Sequence, residues 1–214
     1  MTEAVKRRRY VSPQRQAKAE ATRRRILDAA ATLFVDAGYG RTSAASVARA
    51  AGVSEASVFG VFGSKANLLV EVILDRVTGH SDFPLRAQPS WLAFAVAADK
   101  APAITAFAAV ACRAHERSWR LLTVAAAAAE GDDELATAVR GGAARRHEDC
   151  GWLVREVLGV PDPDAARATD AVWTLISVEN YRHLVVECGW SDEEYQSWLT
   201  AALMTTLPAR DPSR

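Results

Sequence analysis

The chain has 214 residues, and its 26 Lys and Arg balance its 26 Asp and Glu to a formal net charge of zero. Half of the residues are hydrophobic, which is enough for a substantial core. No uninterrupted apolar run approaches the roughly 20 residues that span a bilayer, and no apolar segment follows the basic N-terminus as in a secretory signal. These features predict a cytoplasmic protein without a membrane span.

The charges are separated along the chain. Residues 1–65 contain 12 Lys and Arg against 5 Asp and Glu, a net charge of +7, whereas the remainder contains 14 against 21, a net charge of −7. A basic N-terminal third beside an acidic remainder favours a polyanionic partner at one end only. The alternative is a solvated basic tail.

The cysteines and histidines do not indicate a disulfide framework or a metal site. Cys112, Cys150 and Cys188 are widely spaced and odd in number, so we expect reduced thiols. His147 precedes Cys150 by three residues, but no CxxC motif or further cluster completes a zinc site. Because the sequence also lacks a nucleophile elbow, a phosphate loop and a dinucleotide fingerprint, we expect no catalytic residue, no metal, no cofactor and no enzyme.

Residues 1–18 predict a flexible basic arm, because they lack apolar periodicity. Arg7, Arg8 and Arg9 in this arm are candidates for phosphate contact or insertion into the minor groove; the alternative is a solubilising tail. The first helix is predicted at about 19–37, where apolar residues recur at helical spacing. Arg23 lies in its N-terminal half, where the helix dipole disfavours a cation unless an external anion is present.

Residues 41–65 have the spacing of a helix-turn-helix. Thr42 or Ser43 is predicted to cap the first of its two helices, and Ser54 the second. Gly52 lies where the chain leaves the first helix, and glycine takes a left-handed conformation there without steric cost. Ser64 is predicted to cap a further helix that begins at Lys65. In a helix-turn-helix the second helix lies in the DNA major groove.

The motif AxxAGVSxxxxFxxFxSKxxL, from Ala48 to Leu68, resembles the DNA-binding signature of the TetR family of one-component transcriptional regulators. The resemblance implies an all-α fold with a three-helix DNA-binding domain and linking helix over 19–79, and a helical ligand-binding and dimerisation domain over 80–214. It also implies a homodimeric regulator, expected to be a repressor, that binds palindromic double-stranded DNA and is released by a small apolar or aromatic effector.

The second helix of the motif departs from the family pattern. Phe59 stands where members place a tyrosine whose hydroxyl reaches a phosphate, and Gly60 and Val61 replace the polar or aromatic residues that commonly follow. An alternative therefore stays open: a TetR-fold ligand-binding or interaction protein with weak or non-specific DNA binding. The candidate DNA-binding residues are Arg7, Arg8, Arg9, Arg23, Thr42, Ser43, Ser54, Glu55, Ala56, Ser57, Phe59, Gly60, Val61 and Lys65.

From Trp91 onward the sequence predicts helices, at 91–98, 101–116, 117–129, 133–159, 162–187 and 192–207, with a capping box at Ser191–Glu194. The last two resemble the terminal helices of many TetR-family members, which implies a four-helix bundle between two subunits; the alternative is that both helices pack only within their own subunit. The candidate interface residues are Val172, Leu175, Ile176, Leu184, Tyr195, Trp198, Leu199, Ala202 and Leu203.

Aromatic residues are spread over the middle helices, where ligand pockets of the family lie. Seven of them are candidates to line a pocket for an apolar or aromatic effector: Trp91, Phe94, Phe107, Trp119, Trp152, Trp173 and Tyr181. The alternative for each is an ordinary core position.

Overall fold

The computed structural model describes residues 13–80, 85–96, 99–162 and 164–207. Within those ranges the chain forms helices and no strand, so the predicted all-α fold is confirmed. The α-helices are α1 (Pro13–Arg41), α2 (Ala44–Ala51), α3 (Glu55–Phe62), α4 (Lys65–Thr78), α5 (Pro89–Ala95), α6 (Lys100–Ala128), α7 (Asp133–Trp152), α8 (Asp164–Leu175), α9 (Val178–Tyr181) and α10 (Asp192–Thr206). Leu85–Ala87 form a 3-10 turn, and Leu153–Val157 and Arg182–Glu187 continue α7 and α9 as π-helical turns.

Serine side chains begin the helices of the helix-turn-helix. The hydroxyls of Ser43, Ser54 and Ser64 accept the third backbone N–H of α2, α3 and α4 respectively, which satisfies one of the donors that every helix start leaves open. Ser43, and not Thr42, is the cap of α2. Gly52 ends α2 in the left-handed conformation, at φ 64° and ψ 41°. The local turn chemistry was therefore predicted correctly.

The N-terminal helices share a core with the C-terminal region. Ile26, Ala30 and Phe34 from α1 are fully buried against residues of α2, α3 and α4. Leu121 of α6 and Leu135 of α7 belong to the same buried cluster. The DNA-binding helices are thus fixed against the long helix of the second domain.

Helix α1 is longer than predicted. It begins at Pro13, so the described part of the predicted flexible arm, residues 13–18, is helical rather than irregular. Its backbone departs from helical geometry at Gly38, close to the predicted end, but helical structure resumes as far as Arg41. Arg7, Arg8 and Arg9 lie outside the described residues.

Two predicted helix boundaries were wrong. The break at 116–117 does not exist, because α6 runs without interruption for 29 residues and contains no helix breaker after its first turn. The predicted helix at 162–187 is divided, since Ser177 takes an extended conformation and caps a new helix through the N–H of Asn180. The predicted capping box of the last helix is present, with Ser191 and Glu194 bonded reciprocally.

The terminal helices pack mainly within their own subunit, which corrects much of the predicted dimer face. Helix α10 lies against α6 and α8, and this contact covers its apolar side. Five predicted interface residues are buried in the subunit's own core: Val172, Ile176, Tyr195, Leu199 and Leu203. The other four, Leu175, Leu184, Trp198 and Ala202, are only partly buried.

In the part of the chain that the structure describes, no single helix has the length and apolar character needed to cross a membrane. Helices α3 and α4 pass that criterion only when taken together, and they are bent by 71° at their junction.

Candidate nucleic-acid interface and the C-terminal core

Helix α3 presents an outward face that is mainly apolar. Val58 and Phe62, four residues apart, are buried, and this orients the rest of the helix toward solvent. Phe59 and Val61 are 47% and 50% exposed, and Gly60 between them is exposed with no atom within 4 Å of an added Cβ. The face predicted to meet DNA is therefore accessible, although hydrophobic side chains occupy its centre.

Polar groups border this face at its N-terminal end. Glu55 and Ala56 are exposed in the first turn of α3. The Oγ atoms of Ser54 and Ser57 lie 2.7 Å apart, and Ser54 Oγ also accepts the N–H of Ser57 at 3.1 Å. Ser43 is exposed at the start of α2. Hydroxyls at two helix N-termini, where the dipole favours anions, are a suitable arrangement for phosphate contacts.

Two predicted DNA contacts have structural roles instead. Thr42 is buried, and its hydroxyl lies within hydrogen-bond distance of the carbonyl oxygens of Leu33 and Gly38, at 3.1 Å and 2.9 Å. Arg23 forms an ion pair with Glu71, and its guanidinium lies 5.5 Å from the centroid of the Phe62 ring. Because both side chains have internal partners, neither is available in this conformation to bind a backbone phosphate.

Lys65 is also engaged within the protein. Its Nζ donates to the backbone oxygen of Tyr39 at 3.1 Å and lies 4.1 Å from the centroid of the Tyr39 ring. The Tyr39 hydroxyl donates to Asp132 at 2.8 Å. Burial and this carboxylate both raise the pKa of Tyr39 above its usual value, so the phenol stays protonated and keeps the bond.

The first turn of α7 reaches the start of α4. Ser64 Oγ donates to the carboxylate of Glu134 at 2.7 Å. An anionic side chain therefore occupies the N-terminus of α4, a position that is otherwise suited to a phosphate. Asp132 and Glu134 were not among the predicted site residues, and no local signal indicates them, because they lie 93 and 70 positions from their partners.

The predicted pocket aromatics other than Phe94 lie in or against one buried cluster, at different places within it. Trp91 is in ring contact with Phe107 and Trp152, at centroid distances of 6.4 Å and 5.8 Å. Trp119 contacts Arg120. Trp173 and Tyr181 lie elsewhere, beside charged or polar side chains. Phe94 belongs to α5, but its side chain lies outside the described part of the structure.

Four buried polar atoms in the C-terminal domain have no hydrogen-bond partner among the described residues. They are His115 Nδ1, Arg146 Nε, Trp173 Nε1 and Tyr195 Oη, on α6, α7, α8 and α10. Burial, together with a smaller effect of the positive charge of Arg146, lowers the pKa of His115 to about 4. His115 is therefore neutral at physiological pH.

The thiols are those of unpaired cysteines. Cys112 and Cys150 are buried and Cys188 is exposed. Burial raises the pKa of Cys112 to about 11 and that of Cys150 to about 12, so neither buried thiol is an activated nucleophile. Within the described ranges no group of three or more His, Cys, Asp or Glu is placed to hold a metal ion.

The fold and the exposed face of α3 define a helix-turn-helix DNA-binding protein with an appended helical domain. Residues 26–72 match the family model of bacterial regulatory proteins, tetR family. These residues are therefore similar to the DNA-binding domain of the TetR family, as the signature from Ala48 to Leu68 indicated. No curated protein is significantly similar to it in sequence.

Solved structures share the architecture over nearly the whole chain. NalD, the secondary repressor of the MexAB-OprM multidrug efflux pump in Pseudomonas aeruginosa, is 25% identical with a TM-score of 0.63, covering 91% of this chain and 99% of NalD. A candidate transcriptional regulator from P. aeruginosa PAO1 has a TM-score of 0.67 at 16% identity, covering 92% of each chain. A candidate regulator from Saccharomonospora viridis, solved with choline, has a TM-score of 0.63 at 18% identity, covering 86% of this chain and 96% of that one.

Proposed function

We propose that this protein is a cytoplasmic homodimeric repressor that binds a palindromic operator and is released by a small-molecule effector. The observation that carries the proposal is the exposed α3, positioned by three serine caps and a buried apolar face. The similarity to NalD, itself a repressor, supports the direction of regulation. A choline complex in a protein of the same fold supports the presence of an effector.

The apolar face of α3 favours a particular kind of base readout. Phe59 and Val61 have no polar side-chain atom with which to read a base edge, whereas the C5-methyl group of thymine is an apolar feature of the major groove. Gly60 between them allows the helix backbone to approach the bases closely, since no side chain intervenes. We therefore expect thymine-containing steps at the centre of each half-site.

The dimer face we propose is narrower than the one predicted from sequence. Trp198 and Ala202 of α10 and Leu184 of the π-helical turn after α9 are partly buried, and Val186 in that turn is 44% exposed. Trp190 contacts Trp198 at a centroid distance of 6.5 Å, beside an open groove that both line. A second copy of the chain packed on these residues would cover them.

A second function is favoured by the same apolar face. With Thr42, Arg23 and Lys65 engaged internally, the described helix-turn-helix has few free phosphate contacts, as expected for a ligand-binding protein with weak or non-specific DNA binding. The affinity for DNA and its dependence on sequence distinguish the two functions, because non-specific binding is electrostatic and falls steeply with salt.

The deciding experiment is selection of genomic fragments by the purified full chain at near-physiological salt. Recovery of a palindrome with half-sites about one helical turn apart supports the repressor. Val61→Asp is the matched variant, because it changes only an exposed side chain of α3, and it should abolish selection without unfolding the protein. Recovery of random fragments that dissociate steeply with salt contradicts sequence-specific binding. A parallel selection without residues 1–12 measures the contribution of Arg7, Arg8 and Arg9.

A further inference from the structure

The middle of the C-terminal domain contains a set of polar groups that the helices do not satisfy. Buried polar groups in native proteins nearly always have hydrogen-bond partners, yet four here have none within the described residues: His115 Nδ1, Arg146 Nε, Trp173 Nε1 and Tyr195 Oη. His115 is only 5% exposed. Groups of this kind indicate a partner that the chain itself does not supply.

These groups lie on helices that pack against one another, and direct contacts join them in two sets. The rings of His115 and Tyr181 are 5.5 Å apart, and those of Tyr181 and Tyr195 are 5.1 Å apart. On the other side, the guanidinium of Arg146 lies 5.6 Å from the centroid of the Trp173 ring. Arg146 is close enough to His115 for its charge to act on the imidazole. The set is therefore one region bounded by α6, α7, α8, α9 and α10.

Most of the unsatisfied atoms are hydrogen-bond donors, which favours a ligand that accepts hydrogen bonds. Arg146 Nε, Trp173 Nε1 and Tyr195 Oη each carry a hydrogen to donate, and the neutral imidazole of His115 is a donor or an acceptor according to its tautomer. Arg146 forms no ion pair with a carboxylate in the described part of the chain. Tyr181 is already satisfied, since it donates to Asp192 at 2.6 Å.

The backbone beside these residues is also irregular. A π-helical turn follows Tyr181 directly, and a second π-helical turn continues α7 beyond Arg146. Such turns occur frequently at functional sites, because the additional residue redirects the side chains of the helix. Both turns occur in helices that border the unsatisfied groups.

We propose that this region binds a small aromatic carboxylate, with the carboxylate at Arg146, Trp173 Nε1 and Tyr195 Oη and the ring against Trp173 and His115. This inference rests on the proposed function, in which it names the chemical class of the effector. Arg146 and Trp173 are partly exposed, so they form the outer wall and the route of entry. A cation such as choline meets the positive charge of Arg146 and is excluded.

The test uses the full chain and three carboxylates of increasing length: benzoate, 2-naphthoate and 4-biphenylcarboxylate. Each is compared with its neutral carboxamide, and choline is the cationic control. Calorimetric titration should show at least one acid binding about tenfold or more tightly than its amide, because a charge-assisted bond to Arg146 is lost in the amide. That acid should also raise the melting temperature, while choline should not bind.

Two variants locate the site. Arg146→Met should remove the preference for the acid while leaving the weaker binding of the amide unchanged. Arg145→Met removes an exposed neighbouring guanidinium on the same helix and should leave the preference intact. Circular dichroism and thermal melting of both variants show whether they remain folded.

Equal affinity for acid and amide overturns the proposal, as does the absence of binding by all three acids at millimolar concentration. Equal affinity would assign the four polar atoms to ordered water. Operator binding is measured in parallel with the same preparations. If the operator is bound but no acid is, the ligand inference fails alone; if an acid binds but no operator is found, the repressor function fails instead.

Discussion

The two domains differ in how completely they satisfy their own polar groups. In the helix-turn-helix, serine hydroxyls close each helix start and the buried hydroxyl of Thr42 has carbonyl oxygens of α1 within hydrogen-bond distance. In the C-terminal domain, His115, Trp173 and Tyr195 keep buried polar atoms without a partner among the described residues. The first domain therefore provides hydrogen-bond partners for these polar groups in the absence of DNA. For the second, we propose that a bound ligand supplies the missing partners.

The largest expected effect comes from a substitution in the core of the helix-turn-helix domain. Phe34 is fully buried and stacks on Tyr39 at a centroid distance of 5.9 Å. Phe34→Ala should lower the free energy of unfolding by about 4 kcal/mol, because it removes a large apolar side chain and leaves a cavity. Urea denaturation measures the change. Val35→Ala, at an exposed neighbouring position, should cost less than about 1 kcal/mol; equal losses in both variants would contradict the assigned core.

The next effect is the pH dependence of stability that comes from His115 in the C-terminal domain. The pKa of His115 is about 4 in the folded chain against 6.5 for the unperturbed group. Between those pH values the unfolded chain binds a proton that the folded chain does not, so stability falls as the pH decreases, by about 3 kcal/mol in total. His115→Gln should remove that part of the pH dependence.

Urea denaturation at several pH values between 4 and 7 measures the pH dependence of the free energy of unfolding in both chains. His183→Gln is the control, because His183 is exposed and pairs with Glu187 on the surface. If the wild-type chain and His115→Gln lose stability equally on acidification, His115 is not buried in its neutral form.

Gly60 allows the recognition face to be tested apart from the fold. Gly60→Ala should stabilise the chain by about 1 kcal/mol, because alanine has the higher helix propensity and its Cβ meets no atom within 4 Å. The same change should weaken operator binding about tenfold if the backbone approaches the bases closely. Gly142→Ala in α7 should give the stabilisation alone, and unchanged operator affinity in Gly60→Ala would contradict close approach.

The smallest effect concerns the contact between the domains. Glu134→Gln removes the carboxylate charge that lies beside the N-terminus of α4 and should tighten DNA binding about threefold, since charges near a helix end contribute below about 1 kcal/mol. Glu130→Gln makes the same charge change at an exposed position between α6 and α7 and should have less effect. Fluorescence anisotropy with an operator duplex measures the affinities of both variants. Equal changes in the two affinities would indicate that the effect comes from the net charge of the protein and not from the position of Glu134.

The predictions from sequence succeeded where the signal was local. Ser43, Ser54 and Ser191 cap helices through residues three positions away, so a short sequence window contains both partners. Helix α6 was divided at residue 116 in the prediction although no breaker lies there. The uninterrupted helix brings Leu121 into the core of the first domain, and no short window shows that contact.

In the candidate nucleic-acid interface, too, local contacts were predictable from sequence and long-range contacts were not. The exposed face of α3 follows from the four-residue spacing of the buried Val58 and Phe62, which a short sequence window contains. The partners of Arg23 and Lys65 lie 48 and 26 positions away, so their internal roles were not predictable from spacing. The dimer face was overestimated because the apolar side of α10 fits a second subunit and its own α6 equally well in sequence. Only the three-dimensional packing distinguishes those two partners.

Helix α6 contributes to both buried clusters, with Ile104 and Phe107 in the C-terminal one and Leu121 and Ala125 in the N-terminal one. Separation of the two clusters would therefore require this single helix to lose its contacts with one of them. Such an arrangement makes unfolding cooperative across the domain boundary, so that the chain melts as one unit. Amide hydrogens along the middle of α6 are accordingly expected to exchange among the slowest in the protein.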